Sequence, residues 1–148
     1  MKVKTKHIVI IFIVVFLIFE YYNMIQKQKS FPEREAFQLD VQCEEGLKSG
    51  DIGEIFVSLE NCGEGDYDLN YTDLFAVYMD GKQITSQNDG TDTWKLPRGD
   101  EVSESYEFVA GKPGKHSVEV KTLFHLENDA GDVQEYHYQK NCMIKVEK

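Results

Sequence analysis

Three cysteines, four histidines and several clusters of loop carboxylates are the residues able to do chemistry in this chain of 148 residues. His125 and His137 flank the segment Glu127-Asn128-Asp129-Ala130-Gly131-Asp132. If that segment turns a hairpin centred near Gly131, the two imidazoles face each other across strands. Glu127 or Glu135 could then complete a metal site. The preferred reading is plainer: an exposed cross-strand histidine pair. Asn88-Asp89-Gly90-Thr91-Asp92 and Asp66-Tyr67-Asp68 collect carboxylates of the kind calcium uses, but neither has the spacing of a known calcium loop. Trp94 follows closely, in what reads as a long loop from Ser86 to Pro97. Two readings of Trp94 stand: a plug at one end of the domain, which is preferred, or a partner contact flanked by Asp89 and Asp92. No Cys-x-x-Cys pair, nucleophile elbow, P-loop or His-Glu-x-x-His motif occurs, and Cys62 has no neighbouring base. The expectation is a non-enzyme that uses no cofactor.

These residues sit on a chain patterned for strands. Phe37, Leu39, Val41 and Cys43 alternate, as do Ile55, Val57 and Leu59. Leu74 to Met79 is a compact apolar run ending in Asp80-Gly81, a dipeptide suited to a type I′ hairpin. Val102, Tyr106 and Phe108 alternate around Glu104, and Val118, Val120, Phe124 and Leu126 share one parity. Tyr136, Tyr138, Cys142, Ile144 and Val146 do the same, with Lys140 breaking the face and predicting a bulge or strand exit. Six or seven one-faced strands separated by turns predict an all-β, immunoglobulin-like antiparallel sandwich over residues 36–148.

The N-terminus differs in kind. Lys2, Lys4 and Lys6 precede the apolar run Ile8 to Phe19, and Tyr21, Tyr22, Met24 and Ile25 extend it. No small-residue cleavage site follows before Ser30, so residues 1–25 read as an uncleaved transmembrane anchor rather than a signal peptide. Residues 26–35 read as a polar stalk. Residues 1–30 carry net charge +4 and residues 31–148 carry −14. That asymmetry predicts a single-pass cell-membrane protein with a cytoplasmic N-terminus and an extracytoplasmic domain. The overall charge of −10 and pI of about 4.8 argue against a nucleic-acid partner.

Four short motifs fall in a recognisable order: Gly53-Glu54-Ile55-Phe56-Val57-Ser58-Leu59-Glu60-Asn61-Cys62-Gly63, Phe75 to Lys82 with its Asp80-Gly81-Lys82 end, Leu96-Pro97-Arg98-Gly99, and Gly114-Lys115-His116-Ser117-Val118-Glu119-Val120. Over about residues 37–146 this skeleton resembles the CARDB type of bacterial and archaeal surface domain. The resemblance implies a β-sandwich and, by analogy of fold, a non-enzymatic binding or accessory module of the cell envelope, engaging a protein or polysaccharide. The alternative is an enzyme inhibitor or immunity-type protein acting through the Ser86–Pro97 loop. In such sandwiches the last strand often lies beside the first, which favours a Cys43–Cys142 disulfide. Pairings of Cys62, or three free thiols, are the alternatives.

Overall fold

The computed structural model describes residues 5–148, leaving aside the side chains of 5–9 and 25–29. Two units are distinguished: residues 1–31 with the loop 127–132, and residues 32–126 with 133–148.

In the first unit, helix α1 runs Thr5–Lys29. Its side chains from Ile10 to Phe19 are all exposed, between 48% and 73%. The helix continues through residues 26–29, the first part of the predicted stalk. Pro32 accounts for the end, because the residue before a proline is pushed out of helical geometry. Among the described residues no helix is long and apolar enough to cross a membrane. Of the anchor predicted over 1–25, residues 1–4 and the side chains of 5–9 and Ile25 lie outside the described residues.

The second unit is mostly strand. β1 (Phe37–Cys43), β2 (Leu47–Lys48), β3 (Ile52–Asn61), β4 (Tyr67–Tyr71), β5 (Phe75–Met79), β6 (Lys82–Gln83), β7 (Asp92–Leu96), β8 (Glu101–Val109), β9 (Gly114–Glu127) and β10 (Val133–Glu147) form two sheets. The smaller has the order β1-β3-β8. The larger has the order β2-β10-β9-β4-β7, with β5 paired to β9 and β6 to β5. Sequence reading missed β4 and β7, and β2 runs parallel to β10 rather than antiparallel.

Alternation builds the core. Ile55, Val57, Leu59, Leu69, Val77, Val118, Val120 and Ile144 are completely buried. Phe37 packs edge-on against Tyr67, Phe124 and Tyr136 at 5.3, 5.0 and 5.5 Å, and Phe124 stacks on Tyr136 at 5.2 Å. Asp80 and Gly81 both have positive φ, 49° and 80°, as a type I′ turn requires. Lys140 does not end the strand. β10 runs on through it, and its ammonium reaches Asp40 on β1 at 2.5 Å.

Two motif residues have structural work. A Cβ on Gly53 would lie 2.5 Å from Leu47 Cδ1 and 2.6 Å from Phe108 Cζ, so only glycine lets β3 pass between them. Asn61 is completely buried. Its amide nitrogen donates to the carbonyls of Gly65 (2.8 Å) and Leu96 (3.0 Å), and its amide oxygen accepts from Gly63 N–H (3.0 Å). One side chain therefore ties the turn after β3 to the end of β7.

Cys43 and Cys142 form a disulfide with Cα atoms 6.2 Å apart. Their strands belong to different sheets, so the bridge staples sheet to sheet rather than joining hydrogen-bonded neighbours.

Candidate functional site

A hollow of about 560 Å³ opens on the outer face of the larger sheet. Outward residues of β5, β9 and β10 meet there because each strand turns its odd or even set away from the core. Lys121, Leu123 and His125 come from β9, and Glu135, His137 and Gln139 from β10. Ala76 and Tyr78 of β5, the bend at Thr72-Asp73, and the amides of Gln83 and Gln87 form the wall.

Arg34 enters from the turn Arg34–Ala36, before β1. Two tyrosines fasten that turn: Tyr136 OH donates to Pro32 O and Tyr138 OH to Arg34 O, both at 2.6 Å. The Arg34 guanidinium lies 5.4 Å from the Tyr138 ring centroid and donates to His137 O at 2.5 Å. Burial pushes the Tyr138 phenol up to about 12. Lys121 lies 4.9 Å over the Tyr78 ring and 2.6 Å from Glu119. The charged side chains around the hollow thus already have partners.

His125 and His137 line this hollow together, but His137 pairs with Glu135 at 3.0 Å. Among the described residues no group of three or more His, Cys, Asp or Glu side chains could hold a metal ion. Cys62 is an exposed free thiol, held above its ordinary range by desolvation and then by Glu60.

The second expected constellation is rearranged. Trp94 is not in a loop and does not plug the core. It sits on edge strand β7, paired with Leu69 of β4 and 48% exposed. Of the expected loop Ser86–Pro97, residues 86–91 and Pro97 lack regular structure, and Trp94 is carried by β7 instead. Asp89 is exposed in that loop. Asp92, at the start of β7, lines a second hollow of about 520 Å³ with Asp73 and Glu104, between the edges of the sheets. Desolvation, then Asp92 and Glu104, raise the Tyr71 phenol there. Asp66 instead accepts the Arg98 N–H at 3.0 Å, a turn contact.

Sequence reading also missed a pair at the β5–β6 turn. His116 Nδ1 lies 2.7 Å from Asp80 Oδ2, and its Nε2 lies 2.8 Å from Lys112 O. Two acceptors on one ring suit the protonated imidazolium, and the Asp80 hydrogen bond followed by the Lys112 carbonyl raises its pKa. Spacing gave no signal, since Asp80 and His116 are far apart in the chain.

No protein-family model matches the chain, and no curated protein matches it significantly. Among solved structures it is similar to a CARDB domain from Pyrococcus furiosus, determined in complex with di-metal ions: 13% identity, TM-score 0.49, covering 78% of this chain and 94% of that one. A chain of the zinc glycoprotein–prolactin-inducible protein complex from human seminal plasma is 8% identical at TM-score 0.48, covering 80% and 98%. A β-glucosidase from Listeria innocua, in complex with glucose, is 16% identical at TM-score 0.39, and the match spans only 17% of it.

Proposed function

We propose that this chain is a membrane-anchored, extracytoplasmic binding or accessory module of the cell envelope. The Cys43–Cys142 disulfide carries the reading, because such bridges persist in oxidising compartments outside the cytoplasm. The N-terminal sequence supports it independently. Three lysines precede the apolar run, a flank that the positive-inside rule reads as cytoplasmic. Such a domain acts by binding, and the outer-face hollow offers amides, rings and an exposed leucine for that purpose.

Cys62 provides the test, being exposed and outside the disulfide. In intact cells, a membrane-impermeant maleimide at mildly alkaline pH should label Cys62 of the full chain, and the labelled protein should resist alkaline extraction from membranes. Labelling only after lysis would overturn the extracytoplasmic placement. Release by alkali would overturn the anchor.

A further inference from the structure

We propose that the outer-face hollow is a binding site for a short stretch of uncharged glycan, an inference that rests on the binding-module reading. Its volume of about 560 Å³ is ligand-sized. The floor strand β9 has ladder partners on both sides, so its main chain has no free edge to offer an extended peptide. Recognition there must use side chains.

Those side chains suit a sugar. Leu123, 46% exposed on the floor, gives apolar surface for the C–H face of a pyranose, beside a Tyr78 ring capped on one face by Lys121. Around them stand the amides of Gln83, Gln87 and Gln139, each able to donate and accept at once, as neighbouring sugar hydroxyls do. Four charged side chains of the lining already have hydrogen-bond partners within the protein. Asp73 accepts the Asn88 N–H at 3.0 Å, Glu135 holds His137, and Lys121 holds Glu119. Arg34 donates to the His137 carbonyl. The exposed amides of Gln87 and Gln139 remain, in a domain whose net charge of −14 disfavours acidic polymers.

The test uses the full chain in zwitterionic detergent micelles, since sugar-headed detergents would compete. Neutral trisaccharides of glucose, mannose and N-acetylglucosamine are titrated and followed by saturation-transfer NMR and calorimetry. At least one should bind saturably. Leu123→Ala and Gln139→Ala should each weaken it about tenfold, the loss of roughly one good hydrogen bond or apolar contact. Gln38→Ala, on the exposed side of β1, should leave binding unchanged, and added salt should change it little. The proposal is overturned if no trisaccharide saturates, if both floor variants bind normally, or if only acidic sugars bind and salt abolishes it. Capture of a protein on the Leu123–Gln139 face, without sugar binding, would overturn the glycan class but keep the binding module. None of these results bears on the maleimide test of topology.

Discussion

The two long sides of the sandwich show opposite chemistry at equivalent positions. Along the β1/β10 side, inward residues are Phe37, Leu39 and Val41 facing Tyr136, Ile144 and Val146, and the Cys43–Cys142 bridge closes the seam. Along the β7/β8 side, the inward parity continues but its residues change. Glu104 pairs in register with fully buried Val57, and Asp92 and Trp94 share the face of buried Leu69 through β4. The Tyr106 hydroxyl donates to Glu104 there, and desolvation followed by that contact raises its pKa. One side is a sealed core and the other a polar mouth. β7 and β8 are sheet edges, and carboxylates at their inward positions discourage pairing with another chain.

The contrast breaks most sharply at the disulfide. The bridged residues are 99 apart, and the chain-entropy model gives about 4–5 kcal/mol for a loop of that length. Cys43→Ser with Cys142→Ser should lower unfolding free energy by about that amount in chemical denaturation of the full chain. Asn61→Ala should follow, at about 3 kcal/mol, because it strands the carbonyls of Gly65 and Leu96 and the N–H of Gly63. The open side should respond far less. Asp92→Asn should stay within about 0.5 kcal/mol of the parent in the same denaturation assay.

The smallest effect sharpens the comparison through pH. His116 is raised chiefly by Asp80, and Asp80 is lowered chiefly by His116. The histidine's contribution is complete below its unfolded value of about 6.5 and is lost as pH rises through its elevated folded value. The aspartate's is present above about 3.8 and lost as pH falls through its depressed one. His116→Asn should therefore lower Tm most near pH 5 to 6 and least above pH 8. Both groups are partly exposed, so the effect should stay under about 1 kcal/mol. Thermal melts across that range check it, and a difference that grows with pH would contradict the pairing.

Legibility in the sequence followed the same division. Strands with inward Phe, Ile, Leu and Val, such as β1, β3 and β9, announce themselves by alternation. β4 offers one apolar inward residue, Leu69, flanked by Asp68 and Asn70, and β7 begins at Asp92, so both read as loops. Trp94 was misplaced for that reason. An edge strand needs no apolar outer face, and half its surface stays wet. Parallel β2 is two residues long and is created by β10, which its own sequence cannot report. The Cys43–Cys142 pairing followed from order along the chain, whereas the hollow joins Arg34 to residues about 100 positions away, on faces that no hydrophobic period marks.

The seal along β1 and β10 carries the proposal of an exported sandwich. Non-reducing peptide mapping of the full chain, extracted from membranes after blocking free thiols, tests it most directly. The account expects one cross-linked species containing Cys43 and Cys142, with Cys62 carrying the blocking group. Three blocked thiols, or a bridge to Cys62, would contradict it.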